Sequence, residues 1–492
     1  MPRPSWSLAF VTVSVLVIAF PPPGDAVAKS AASTSSATSS APVHGGPPVA
    51  AKRPVTDHYW GVAIRDDYRW LEKWDDSAVR AWVDGQNTWT RKVLDALPSR
   101  PAILTRADEL NHDISPHYSD LTRAGAGWCA TKDQPPLQQP VLVWLPADAD
   151  PARERVVVDP NAIDKSGAVS MDFFVPSPDG SKVAVSLSRG GTESGDVHTY
   201  DTATGREIGE IIPRVNGGTA GGDVAWDGDG KGFLYSRYPA KGERPAADLD
   251  FYQQVYHHTL GTPVASDRYV IGREFPKIAE ILLDTSPDGR HQLIEVLNGD
   301  GGDHAYWLRM PDGRLTPVAG FADRAVRAQM ADDALFLLSR HASPNGAILR
   351  VPYDKPRIES AATVVPAGEN GIADFVVAGH RLYVHDIVGG PSQVRVFGTD
   401  GRSLGALPLH PVSSVAGLTR GVGDDAWFEI QSYTEPPKWM HYRAGTGALA
   451  ETRLAMRSPA DFTDTDSRRE FAISKDGTRV PMTILMRQGV KL

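Results

Sequence analysis

The apolar positions of this chain follow two different rhythms. From Val79 to Leu97, Val79, Trp82, Val83, Trp89, Val93 and Leu94 recur at helical spacing behind the N-cap candidates Asp75-Asp76-Ser77, and Pro98 ends the run. A second helix is expected to open at Ser99-Arg100-Pro101 and to carry Ile103, Leu104, Ala107 and Leu110. The stretch from Tyr59 to about Asn111 thus reads as helical, and its tryptophans, which fall on the apolar face, read as core rather than as a binding platform. After Pro116 the rhythm changes to short strands behind Gly/Asp turns.

Those turns recur at Gly125-Ala126-Gly127, Asp179-Gly180, Asp229-Gly230, Asp288-Gly289, Asp332-Asp333, Gly379-His380 and Asp424-Asp425, about 45 to 59 residues apart, the length of a propeller blade. Each leads into an apolar strand, such as Val183-Ala184-Val185, Leu335-Phe336-Leu337-Leu338 or Trp427-Phe428-Glu429-Ile430. A blade cannot bury both of its faces alone and a ring of blades can. The pattern predicts a mainly β fold: a seven-bladed β-propeller over 116–465. Two packed β-sandwiches are the alternative, but they do not call for so even a repeat.

From Arg469 onward the chain reads as a β-hairpin. Phe471 and Ile473 alternate with polar neighbours, Asp476-Gly477 supplies the turn, and Val480, Met482 and Ile484 alternate on the return strand. A lone hairpin is marginal in water, so this one is expected to belong to a sheet built elsewhere, and the chain is expected to be truncated.

At the other end, Arg3, an apolar run from Leu8 to Phe20 and the small-residue pattern Ala26-Val27-Ala28 have the grammar of a secretory signal peptide over 1–28, with cleavage expected between Ala28 and Lys29. Export, periplasmic or secreted, is the expectation, with no membrane partner after cleavage. Residues 29–53 are rich in Ala, Ser, Thr, Pro and Gly and read as a flexible linker.

Composition narrows the function mainly by exclusion. The formal net charge of -9 carries no basic run, which argues against nucleic acid as a partner. The single cysteine, Cys129, excludes an intramolecular disulfide and, lying in the apolar strand Trp128-Cys129-Ala130, reads as a buried inert thiol. No His-Glu-x-x-His or P-loop occurs, and the pentapeptide with Gly-x-Ser-x-Gly spacing, Gly401-Arg402-Ser403-Leu404-Gly405, lies within the propeller repeats. The segment Gly190 to Gly195 around Ser194, weighed as an elbow, has Thr192 where the first glycine belongs and reads as a loop between blade strands. His257 and His258 are adjacent on a strand and point to opposite faces, a poor geometry for a shared metal. His112 and His117 have no carboxylate constellation nearby in sequence. Asp223, Asp227 and Asp229 are spaced loosely like a calcium loop but lack the downstream glutamate, so they read as blade-turn residues. No catalytic, metal or cofactor-binding residue is assigned within the chain.

Two terminal motifs carry a resemblance. Asp57-His58-Tyr59-Trp60-Gly61-Val62 with Asp66-Asp67-Tyr68-Arg69-Trp70-Leu71-Glu72, followed by Trp82-Val83 and Gln86-Asn87, resembles the opening of the prolyl oligopeptidase family of serine peptidases. Ser474 to Met482 resembles the strand pair with which that family's peptidase domain resumes, and Trp226 to Tyr235 and Val255 to Thr262 are similar to its propeller. Asp67 stands where the family usually has proline, and Lys73-Trp74 interrupts its usual acidic run. The resemblance implies that residues 54–115 and 466–492 are pieces of an α/β-hydrolase domain, with the propeller inserted between them as a lid that admits short peptides. It implies no cofactor, and it places the catalytic Ser, Asp and His after Leu492, so this chain alone is expected to be inactive. A free-standing exported propeller binding peptide or glycan is the alternative from another class. A dipeptidyl-peptidase or acylaminoacyl-peptidase relative is the alternative within it.

Overall fold

The computed structural model describes residues 46–490. The signal segment, its Ala28-Lys29 junction and the first part of the expected linker lie outside the described residues. The chain divides into two compact units, with the break after His112.

In the smaller unit, residues 46–53 have no regular secondary structure. The indole of Trp70 donates to the Ala51 carbonyl at 2.8 Å, and the amide of Gln86 donates to that of Pro48 at 2.6 Å. Helix α1 (Ser77–Asp95) starts where expected, its N-cap Asp76 accepting from the amide of Ala78, and α2 (Arg100–His112) follows. The helical reading fails before them. Val55–Tyr59 and Val62–Asp66 pair as an antiparallel hairpin around Trp60-Gly61, both residues of which have positive φ. The core reading of the tryptophans also needs correcting. Trp60 and Trp74 are exposed, Trp70, Trp82 and Trp89 are only half-buried, and Val79 is the sole buried side chain of the two helices. A helix pair and a hairpin provide one layer, and a one-layer unit leaves its apolar faces uncovered.

The larger unit is the propeller. Seven four-stranded antiparallel sheets follow one another along the chain with their strands in simple meander order: blade 1 (His117–Val158), blade 2 (Val169–Ile212), blade 3 (Val224–Ile271), blade 4 (Ala279–Ala319), blade 5 (Ala325–Val365), blade 6 (Gly371–Ala406) and blade 7 (Ser413–Ala455). All seven turns picked out in the sequence join the first strand of a blade to its second. Two glycines show why the turns are so small. A Cβ on Gly125 would stand 2.1 Å from the Asp179 carbonyl oxygen, and one on Gly180 would stand 2.3 Å from the backbone of Ala124, so neighbouring turns meet backbone to backbone.

The second strands read as unbroken apolar runs because both of their faces are covered. Side chains alternate across a strand, so Val183 and Val185 join the core between blades 1 and 2 while Ala184 joins the one between blades 2 and 3. Leu335 and Leu337 face blade 4 in the same way, and Phe336 and Leu338 face blade 6. One apolar core fills each of the seven blade interfaces.

The ring closes without a shared strand, because blades 1 and 7 each draw all four strands from their own segment. Their interface is filled by Trp128, Trp427, Trp439, Leu121 and Leu454, and the Trp439 indole donates to the Tyr118 carbonyl at 2.7 Å. At the same seam Arg453 meets Asp150, and the amide of Ser115 donates to the Arg457 carbonyl at 3.0 Å. After blade 7, Thr465–Ile473 and Arg479–Arg487 form the expected hairpin around Asp476-Gly477, a two-stranded sheet with no third strand among the described residues. Phe471, Ile473, Val480, Met482 and Leu485 are exposed on it.

Candidate functional site

At six of the seven interfaces the first strands of successive blades neighbour one another, so they line the axis of the ring, and side chains on them face anything that occupies it. Five of these strands, in blades 1, 2, 5, 6 and 7, carry a β-bulge. A bulge re-aims side chains and releases a strand from strict alternation. At or beside the bulges stand Asp120, Asp172, Arg327 and Asp374, and the regular first strand of blade 4 contributes Glu280. Sequence reasoning missed this set. Its signal was a charged residue five to eight positions before the turn in five of the seven blades, inside an otherwise apolar strand.

Asp172 is the most constrained of the group. Ser186 and Ser188, buried on the facing strand, donate their hydroxyls to its two carboxylate oxygens at 2.7 and 2.6 Å. Burial, which outweighs the two serines, raises its pKa, with Glu193 and Asp196 adding repulsion. The loop of Gly190 to Gly195 folds over it, and a Cβ on Gly195 would stand 2.0 Å from the Asp172 carboxylate. The Gly190 to Gly195 segment is thus the loop between the second and third strands of blade 2, a loop between blade strands as expected. Ser194 is exposed on it, with its amide donating to the Thr192 hydroxyl at 3.3 Å.

Across the interface of blades 5 and 6, Arg327 forms an ion pair with Asp374, whose carboxyl is raised by burial against the opposing pull of that guanidinium. Burial pushes the neighbouring His385 down, keeping it neutral, and its Nε2 lies 2.8 Å from the Ser392 hydroxyl. In blade 4 the Glu280 carboxyl is likewise raised by burial and by Asp300, with His304 acting against both. These groups suit recognition: they offer hydrogen-bond acceptors and one guanidinium to a polar chain lying along the axis. None has the nucleophile, base and orienting group that bond cleavage needs.

The remaining candidates are placed as follows. Cys129 is fully buried between blades 1 and 2, and its thiol is pushed up to about 12 by burial. His257 and His258 do face opposite ways, and each has its own carboxylate: Asp227 at 2.8 Å and Asp267 at 2.9 Å. His112 is exposed with its Nδ1 at 2.9 Å from the Asp108 carbonyl. His117, which had no carboxylate nearby in sequence, gains Glu429 of blade 7 at 3.3 Å. Asp229 lies in a blade turn and Asp227 just before it. Asp223 precedes the first strand of blade 3 and accepts from the amide of Leu283 at 2.9 Å. No group of three His, Cys, Asp or Glu able to hold a metal occurs among the described residues.

A ring of seven four-stranded blades, closed by side chains and flanked in sequence by a helical unit and a hairpin, defines the class of the molecule. The family model described as prolyl oligopeptidase, N-terminal beta-propeller domain, matches residues 47–453, and the chain belongs to this family of serine peptidases. Among curated relatives, it is 26% identical to a prolyl endopeptidase of Elizabethkingia meningoseptica over 90% of this chain and 62% of that one. It is 25% identical to prolyl oligopeptidase A of Galerina marginata over 87% and 62%. Among solved structures, one from a study of two prolyl endopeptidases superposes with a TM-score of 0.80 at 24% identity, covering 91% of this chain and 65% of that one. Prolyl oligopeptidase B of Galerina marginata bound to a 25mer macrocyclization substrate gives 0.77 at 18%, covering 90% and 66%. The chain spans about three fifths of the length of the curated relatives it matches.

Proposed function

We propose that this chain supplies the N-terminal helical and propeller portions of an exported prolyl-oligopeptidase-type serine peptidase, with the ring acting as a size-selecting lid over a hydrolase domain. The carrying observation is at the seam. The segments entering blade 1 and leaving blade 7 are hydrogen-bonded to each other, the amide of Arg457 donating to the Ser115 hydroxyl at 2.7 Å and the amide of Ser115 to the Arg457 carbonyl. A domain inserted into another must enter and leave at one place. The exposed apolar side chains of the hairpin support the same reading over a free-standing propeller. In it, peptides short and flexible enough to enter the ring meet the polar inner strands, and folded proteins are excluded by size.

The Gly-x-Ser-x-Gly pentapeptide of the chain, Gly401 to Gly405, puts Ser403 at the start of the fourth strand of blade 6 and not on a strand-to-helix turn, so on this reading the 492 residues by themselves do not cleave peptides. The test is an assay of the purified chain on a chromogenic Gly-Pro substrate. Turnover that survives repurification and is blocked by a serine-directed inhibitor would reject it. For the lid, the chain is fused to the catalytic part of the Elizabethkingia enzyme. That chimera should cleave a short proline-containing peptide and spare the same sequence in a loop of a folded protein. Equal cleavage of both would remove the size-selecting role. Export is checked by fractionating cells and sequencing the mature N-terminus, expected at Lys29.

A further inference from the structure

We propose that Asn298 is a site of self-modification, where the Asn298-Gly299 link closes to a succinimide and reopens as aspartate or isoaspartate at the end of blade 4's second strand (Gln292–Asn298). The inference does not depend on the proposed peptidase reading.

The reaction needs an asparagine whose side-chain amide can turn, and a following main-chain nitrogen that can reach it. The Gly299 nitrogen, giving its proton to hydroxide, bonds to Asn298 Cγ, and Nδ2 leaves as ammonia with a five-membered imide ring formed. Water then opens the ring. Attack at Cγ gives aspartate; attack at the main-chain carbonyl gives isoaspartate, in which the chain runs through the former side chain. No oxidant or cofactor takes part. Glycine hinders the attack least of all residues because it has no Cβ.

Four asparagines of the chain precede a glycine, and the fold treats them differently. Asn216 is buried, its Nδ2 donates to the Glu193 carbonyl at 2.7 Å, and the Gly217 amide donates to the Gly221 carbonyl at 3.2 Å. Asn345 donates to the carbonyls of Gly368 and Glu369 at 2.8 and 3.0 Å, and the Gly346 amide donates to that of Ser343 at 3.1 Å. Asn370 is half-buried, and Gly371 pairs with Ile387 in the ladder of blade 6. Asn298 stands apart. Its side chain is exposed and has no hydrogen-bond partner among the described residues, and neither has the Gly299 amide.

Asn298 ends a ladder, its own amide donating to the Asp303 carbonyl at 2.9 Å. Gly299, at φ 78°, opens the turn beyond it, and Gly301 and Gly302 leave that turn easily deformed. Gly299 itself is buried, but the atom nearest to a Cβ placed on it is Cδ1 of Ile278, the tip of a side chain on a residue 49% exposed. Rotating that tip admits solvent without breaking a backbone hydrogen bond. The other three sites must first open locally. Isoaspartate lengthens the main chain by one carbon where position 298 pairs with Ala279, and either product adds a carboxylate to a turn that already carries Asp300 and Asp303.

The test incubates the purified full chain, native and in guanidinium, and follows each asparagine by peptide mass mapping, with isoaspartate read by enzymatic methyl transfer. In the native chain the peptide holding Asn298 should convert faster than those holding Asn216, Asn345 and Asn370 by about tenfold or more, and faster at pH 8 than at pH 6. In guanidinium, where only the shared Asn-Gly sequence matters, the four rates should converge. Asn298→Gln, whose imide would be the slower six-membered ring, should silence that peptide and leave the other three unchanged. Native conversion of Asn298 no faster than that of the other three overturns the proposal, as does conversion that yields no isoaspartate.

Discussion

Trp439 stands in the third strand of blade 7, 1% exposed, with its indole N–H on the Tyr118 carbonyl of blade 1. Trp226 does the same work at an ordinary interface, 0% exposed, with its N–H on the Val175 carbonyl of blade 2 at 2.8 Å. Replacing either by phenylalanine removes one interblade hydrogen bond, leaves a buried carbonyl short of a donor and shrinks a packed ring, a total of about 2 to 4 kcal/mol. The local consequences should differ. Blades 2 and 3 are tethered by the connection of residues 213–223, so a breach there recloses at high effective concentration. No tether joins blades 1 and 7 directly. Native-state hydrogen exchange should therefore show Trp439→Phe losing protection selectively in His117–Ala124 and Ser413–Arg420, by about thirtyfold for 2 kcal/mol. Trp226→Phe should lower protection evenly around the ring. An even loss in Trp439→Phe, or a loss confined to blades 2 and 3 in Trp226→Phe, would refute the view of the seam as the ring's weak point.

Three further outcomes are expected. Glu429 beside the His117 imidazole raises its pKa above 6.5 despite burial, so its contribution to the seam is fully present below about pH 6.5 and lost as pH rises through the raised value. Seam protection should be greater at pH 6 than at pH 8, and His117→Gln should flatten that difference. The Asp172 carboxyl is raised by burial, so its ionisation costs stability as pH rises; Asp172→Asn should gain unfolding temperature over the wild type at pH 8 more than at pH 4, and the opposite trend in a calorimetric scan would count against the assignment. Cys129 should resist a thiol reagent at pH 8 in the native chain and react fully in guanidinium, and native labelling would contradict its burial between blades 1 and 2.

What the sequence made legible was local. Each blade turn is written in a few consecutive Gly and Asp residues, and each second strand in a run of apolar ones, so the blade number and repeat length can be counted from the residues alone. The failures have physical causes. Val55 to Asp66 alternates as a strand pair should, but its turn puts Trp60 at φ 48°, a conformation that a tryptophan rarely adopts and that no turn signature announces. The tryptophans of α1 follow a helical stripe, yet a stripe states that a face is apolar and not what covers it. The polar inner-strand groups escaped because their neighbours belong to other strands and blades. Asp172 acquires meaning only beside Ser186 and Ser188, and Arg327 only beside Asp374.

The seam shows why distance in sequence conceals the most consequential contacts. His117 and Glu429, Asp150 and Arg453, and Ser115 and Arg457 are each separated by some three hundred residues, yet each pair joins blade 1 or its approach to blade 7 or its exit. Every other interface inherits proximity from a short connection; this one must generate it from side chains. Three of the twelve tryptophans of the chain are concentrated there, together with ion pairs. Such an interface gathers its stability in discrete groups that can be titrated, whereas a shared strand would spread it along a backbone ladder. That makes the seam the place where pH can act on the ring without disturbing the six interfaces that the chain already holds together.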